Sequence, residues 1–158
     1  MSEPNFKLLD HFHNPRNVGK IDNADGFGRG ENPINGYLTD IYIKVEDGKI
    51  KDIKFKTFGC VISVTSASAL TEAMKGKTLE EILSNNNPII TLIKLITREI
   101  GEVPEKNWHC PPTAVLTLLT AICDYYRKKG EEKKTLELEK LIIDVKDYFD
   151  EYKSMIGK

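Results

Sequence analysis

The sequence predicts an α+β fold: a small antiparallel sheet of about three strands, covered by helices, with a long amphipathic helix at the C-terminal end. Three observations predict it. Residues 37–58 alternate apolar and polar side chains on either side of Glu46-Asp-Gly-Lys49, a two-residue hairpin signal. From residue 61 onward the apolar spacing changes to the helical period. That second half also carries helix punctuation: a Thr78-Leu-Glu-Glu81 capping box, prolines at 88 and 112, and a stop at Gly130.

The elements follow in order. Glu3–His13 reads as a short helix stopped near Pro15, with Phe6, Leu9 and Phe12 on one face. Residues 14–36, rich in Gly, Asn, Asp and Pro, read as a loop with room for one short strand, long enough to suggest a function. Tyr37–Val45 is a strand with Ile41, Ile43 and Val45 on one face. Ile50–Phe58 is the next, with Ile53, Phe55 and Thr57 opposed to Lys51, Lys54 and Lys56, so the sheet has one wet face. Val61–Lys75 is a helix whose Ala and Ser residues suit close packing, and Thr78 opens a short helix. Pro88–Ile100 is a third helix and Thr113–Lys129 a fourth, with Pro112 at its first turn. Glu131–Ile156 is the long helix, striped by Leu138, Leu141, Ile142, Val145, Tyr148, Phe149, Tyr152 and Ile156. The expected organisation is one domain over 1–130 and a helical extension over 131–158, packed on that domain or on a partner.

Composition excludes several classes. A net charge of −1 gives no basic field for nucleic acid. No apolar run is long enough to span a bilayer, so no membrane role is expected. The start, MSEPNFKLLDHFHNP, lacks a signal-peptide pattern, which makes the cytoplasm, where thiols stay reduced, the expected location. Three cysteines are an odd number for a disulfide framework. Metal binding, reactivity or burial remain for each.

Two cysteines sit at element joints. Cys60 follows Gly59 in Lys56-Thr-Phe-Gly-Cys-Val-Ile-Ser63, where a strand gives way to a helix. Cys110 stands in Trp108-His-Cys-Pro-Pro112, before the next helix. Unpaired N–H groups at a helix start favour a thiolate at both places. If the joints converge, two thiolates and the His109 imidazole form a donor set suited to zinc, ferrous iron or an iron–sulfur cluster. Against that stands burial, because a lone buried cysteine usually acts as a small hydrophobe. Spacing leaves both readings of Cys60, His109 and Cys110 open. Cys123, inside Ala121-Ile-Cys-Asp124, reads as core, and His11 and His13 as surface or helix-end residues. A thiol–imidazole pair can serve catalysis, but no oxyanion motif or substrate loop accompanies it here, so no enzyme is expected.

Leu9-Asp-His-Phe-His-Asn-Pro-Arg-Asn-Val-Gly-Lys-Ile21, the run from Ile43 to Phe58-Gly-Cys60, Thr71-Glu-Ala-Met-Lys-Gly-Lys-Thr-Leu-Glu-Glu81 and the His109-Cys110 pair together resemble one family. It is the iron–sulfur cluster assembly scaffold of the IscU type, also found as the N-terminal domain of NifU, and the resemblance runs from about residue 8 to residue 129. It implies a small antiparallel sheet with helices packed on it. It implies a non-catalytic protein that gathers iron and sulfide, builds a [2Fe–2S] cluster and hands it on. The implied partners are a cysteine desulfurase and apo-protein recipients.

The family's site resembles three cysteines, one histidine and one aspartate. Cys60 matches the second cysteine, and His109 and Cys110 match the histidine and the third. The first cysteine and the aspartate fall on Ile34-Asn35-Gly36-Tyr37, where this chain has Asn35 and Tyr37 and keeps only the glycine. Val61-Ile62-Ser63 replaces the family's Gly-Ser-Ala, bulk that crowds or dries the site. The chaperone-recognition element resembles Glu102-Val-Pro-Glu-Lys106 only with its lysine displaced by one residue, which puts chaperone recognition in doubt. Three ligands per chain can hold iron, or a [2Fe–2S] cluster if a second chain or a small thiol supplies the fourth, so a homo-oligomer is one expectation. Zinc is the alternative occupant, in a paralogue that no longer builds clusters. A protein–protein interaction module with a vestigial site is the third reading.

Overall fold

The β-hairpin forms where its turn chemistry requires it. In the computed structural model, which describes residues 6–156, Asp47 and Gly48 both take positive φ (53° and 74°). That is the turn whose twist matches two flanking antiparallel strands. The strands are β2 (Leu38–Glu46) and β3 (Lys49–Thr57), and β1 (Gly26–Glu31) pairs with the other edge of β2, giving an antiparallel sheet in the order β1-β2-β3. The helices are α1 (Phe6–His13), α2 (Val61–Met74), α3 (Leu79–Leu83), α4 (Pro88–Ile100), α5 (Cys110–Lys128) and α6 (Glu132–Ile156). A 3₁₀ turn at Glu105–Asn107 leads into α5. The expected α+β class, three-stranded sheet and long last helix are all present. Residues 3–5 of the expected first helix lie outside the described residues.

Strict alternation does not hold along β3. Lys44 pairs with Asp52 but Val45 pairs with Ile50, so Lys51 is the extra residue of a bulge. The bulge turns both Ile50 and Ile53 into the core while Lys51 stays in water. Ile41, Ile43 and Phe55 complete the apolar face, on which Leu70, Ile96, Leu118, Leu119 and Ile122 of the helices pack.

Glycines at alternate positions of β1 set where α5 lies. A Cβ on Gly28 would collide with the Thr117 carbonyl and the Ala121 amide, and one on Gly30 with the Thr117 side chain. The backbone of α5 thus rides directly on β1, which fixes the start of α5 beside the end of that strand. The helix begins at Cys110, three residues earlier than the expected Thr113, because Pro111 and Pro112 occupy first-turn positions whose N–H groups lack intrahelical partners anyway.

One expectation for α1 holds and one is corrected. Phe6, Leu9 and Phe12 share a face, but it is the outer one, and all three are exposed. The helix docks through Leu8 and His11 instead. His11 is no surface residue: it is buried, with Nδ1 2.7 Å from Ser68 Oγ and Nε2 3.1 Å from Glu99 Oε1. Polar partners on α2 and α4 satisfy both ring nitrogens, so burial of a polar side chain overrides the apolar stripe. At the other end α6 buries Leu138, Val145 and Phe149, with Leu141, Ile142 and Tyr148 partly covered. The side chains of Tyr152 and Ile156 lie outside the described residues. No helix of the described residues is long and apolar enough to cross a membrane.

Candidate metal centre

Cys60 ends the link from β3 and takes the N-cap position of α2 in extended conformation (φ −78°, ψ 176°). Ser63 lies three residues on, so the two side chains share one side of the first turn. Their Sγ and Oγ are 3.6 Å apart. Gly59 makes this possible, since a Cβ there would meet Ser63 Cβ at 2.8 Å and Oγ at 2.9 Å. The start of α5 brings the second thiol: Cys60 Sγ and Cys110 Sγ stand 3.8 Å apart, and the Ser63 hydroxyl donates to Cys110 Sγ at 3.6 Å. Asn107, at the end of the 3₁₀ turn, donates its amide to Cys60 Sγ at 3.7 Å. The two helix starts therefore converge, and both thiols are free of disulfides.

His109 caps α5 and is 3% exposed. Its Nε2 is 3.0 Å from the Lys106 carbonyl, which only accepts, so Nε2 carries the proton. Nδ1 then presents its lone pair, and it lies 3.7 Å from Cys110 Sγ. The same lone pair accepts the side-chain amide of Asn32. Asn32 is itself buried, and its Oδ1 accepts the Ile34 N–H at 2.9 Å. The set is drawn together without being a closed cage. Among the described residues no three His, Cys, Asp or Glu side chains are placed to hold an ion at once.

The thiols differ electrostatically. Burial is the largest influence on Cys60 and pushes its pKa up. Hydrogen bonds from the backbone and hydroxyl of Ser63, from Cys110 and from the backbone of Ile62 together outweigh it, leaving the Cys60 thiol below its ordinary value. Burial dominates at Cys110 and, with the neighbouring Cys60, pushes its pKa up to about 12 despite the Ser63 hydrogen bond. The helix-start advantage expected for Cys110 is thus overturned, because this residue is 2% exposed and desolvation exceeds the effect of the helix N–H groups. Burial also holds His109 below its ordinary pKa, against the Lys106 hydrogen bond, which keeps the imidazole neutral and able to donate a lone pair.

Residues 32–37 form a tight loop at the end of β1. The Gly36 N–H reaches the Asn32 carbonyl and the Asn32 N–H reaches the Tyr37 carbonyl, each at 2.8 Å, with Gly36 at φ 75°. The Asn35 oxygen accepts the Tyr37 N–H at 3.0 Å, within its own turn. Around the Cys60 side the surface is apolar and open, with Phe58 80% exposed and Trp108, Tyr37 and Val61 partly so. Trp108 is anchored by its indole N–H to the Val103 carbonyl at 3.0 Å. Ile62, expected to crowd the site, is instead buried in the core.

This convergence has known relatives. The family model for the NifU-like N-terminal domain matches residues 4–132. The chain belongs to that family. Two iron–sulfur cluster assembly scaffold proteins of Archaeoglobus fulgidus, IscU 1 and IscU 2, are each 46% identical to it over 132 residues, 84% of this chain and 82% of theirs. The Escherichia coli scaffold protein IscU is 39% identical over 127 residues, 78% of this chain and 94% of its own. A crystal structure described as a scaffold protein of the SUF system from Fervidobacterium islandicum shares the fold, with a TM-score of 0.58 at 24% identity over 77% of this chain and 96% of that one. The match to the NifU-like model ends where α6 begins.

Within this NifU-like domain, sequence reasoning named Cys60, His109 and Cys110 and missed their neighbours. Ser63 was visible in the sequence as a hydroxyl three residues after a capping cysteine. Asn107 was visible as the amide three residues before Cys110. Asn32 gave no local signal, since only the packing of α5 on β1 places residue 32 against residue 109.

Proposed function

We propose that this NifU-like domain is a scaffold-type protein of iron–sulfur cluster assembly, with iron and sulfide as its cargo and Cys60, His109 and Cys110 as their donors. One observation carries the reading: the 3.8 Å separation of the two sulfurs, with His109 Nδ1 3.7 Å from Cys110 Sγ. Two thiolates on one tetrahedral ion at ~2.3 Å stand about 3.8 Å apart, and a thiolate and an imidazole nitrogen about 3.5 Å apart. Each of these two pairs has a separation close to what such an ion requires, and side-chain movement, with Asn32 releasing Nδ1, would bring all three donors onto it. The names of the A. fulgidus and E. coli relatives support the same reading.

The residues divide the work. Cys60, the more accessible and more ionised thiol, is the one able to accept sulfur from a donor protein such as a cysteine desulfurase. Cys110 and His109 hold metal from the buried side. The exposed Phe58, Trp108 and Tyr37 beside Cys60 suit contact with the donor and with recipient proteins. A single bound zinc is the second reading, favoured by the fit of the sulfur pair to one tetrahedral ion. Neither reading needs the protein to be an enzyme.

Incubating the protein with ferrous iron and sulfide without oxygen tests this. The expected result is a visible chromophore in the wild type that is absent from Cys60→Ser and Cys110→Ser. A colourless wild type that retains about one zinc per chain favours the second reading, and a chromophore indifferent to both substitutions overturns the proposal.

A further inference from the structure

Ser63 Oγ stands 3.6 Å from Cys60 Sγ and 3.6 Å from Cys110 Sγ, and the sulfurs are 3.8 Å apart. A thiolate at ~2.3 Å and an oxygen at ~2.1 Å on one tetrahedral ion stand about 3.6 Å apart, and two thiolates about 3.8 Å. The three atoms already have the dimensions of one face of a tetrahedral shell. We propose that Ser63 Oγ is a metal ligand of this chain, completing a Cys60, Cys110, Ser63 and His109 set for a tetrahedral divalent ion, zinc or ferrous iron. The inference rests on the reading of Cys60, Cys110 and His109 as donors given above.

Two further features of the structure agree. The absent Cβ of Gly59 leaves the space that Ser63 occupies, so the strand-to-helix joint is shaped around this hydroxyl as well as around the thiol. The Asn35 oxygen instead accepts the Tyr37 N–H within its own loop. The four donors instead come from two helix starts, α2 and α5, that the core holds together. A hydroxyl donor carries less charge than a carboxylate or a thiolate and cannot accept sulfur. Cys60 remains the sulfur-accepting position, and the resting site suits one ion better than a sulfide-bridged pair.

Titration with cobalt(II), without oxygen, tests this on the full chain as wild type, Ser63→Ala, Ser63→Cys and Cys60→Ser, each checked for an unchanged far-UV circular dichroism spectrum. The wild type is expected to bind cobalt with the intense visible bands of a four-coordinate ion. Ser63→Ala is expected to bind at least ~10-fold more weakly, the loss known even for residues one shell out. The deciding signal is Ser63→Cys: a third thiolate on the ion raises the sulfur-to-cobalt charge-transfer intensity by about half. If that intensity stays at the wild-type level while Cys60→Ser loses binding, Ser63 is only a hydrogen-bond donor. The inference then fails and the donor reading of Cys60 stands. A wild type that takes up no cobalt overturns both.

Discussion

Cys60 and Cys110 are 3.8 Å apart yet chemically unlike. The hydrogen bonds at the start of α2 bring the Cys60 thiol below its ordinary pKa, whereas burial pushes that of Cys110 up to about 12. In the metal-free protein, iodoacetamide should therefore modify Cys60 alone at pH 7.5, as read by peptide mass spectrometry. The pH midpoint of that reaction should fall below that of a free thiol, because the thiolate, not the thiol, reacts. Equal labelling of both would contradict the assignment. Asn32 is a second residue-scale test. Asn32→Ala leaves His109 Nδ1 without that donor and the Ile34 N–H without its acceptor, inside a buried loop. The expected loss is about 1–3 kcal/mol in urea unfolding. At this scale the sequence displayed Cys60, His109 and Cys110, whose helix-start positions are local. It did not display Asn32, whose partner is 77 residues away.

At the scale of elements, the hairpin was legible because Asp47-Gly48 imposes its turn whatever surrounds it, and α3 because its capping box closes on itself. Two features were not. The bulge at Lys51 depends on how β3 pairs with β2, and the docking face of α1 depends on Ser68 and Glu99. Strand β1 was legible only as loop with room for a strand, because its alternate glycines carry no apolar pattern. They matter for the opposite reason, that they let α5 approach. Gly28→Ala should therefore destabilise by about 1–3 kcal/mol or more through overpacking, although the backbone conformation there is ordinary. Gly48→Ala, whose added methyl meets open space, should lose only about 1 kcal/mol from its positive φ. Denaturation midpoints of the two variants separate the causes, and a larger loss at Gly48 would contradict the packing of α5 on β1.

The whole molecule places the proposed metal site at one end of a sheet, with α5 as the common support. That helix meets β1, β2, α2, α4 and α6, so the site and the C-terminal helix are joined through one rigid element. Phe149 on α6 is buried, and Phe149→Ala should cost about 3–5 kcal/mol in thermal or urea unfolding if α6 belongs to this core. A loss under about 1 kcal/mol would show that α6 only rests on the surface. The fold class and the family were legible in the sequence because polarity period and the spacing of a few glycines, prolines and cysteines are local properties. The contact of Ser63 with Cys110 was not, because it is fixed by the meeting of two helix starts from separate parts of the chain.

The most direct measurement is iron and acid-labile sulfide per chain after oxygen-free reconstitution, on the wild type beside Cys60→Ser. Iron and sulfide in equal amounts on the wild type, both lost in the variant, is the expected result for a scaffold working through Cys60, His109 and Cys110. Sulfide-free protein carrying only zinc, or the same iron and sulfide on both proteins, would contradict it.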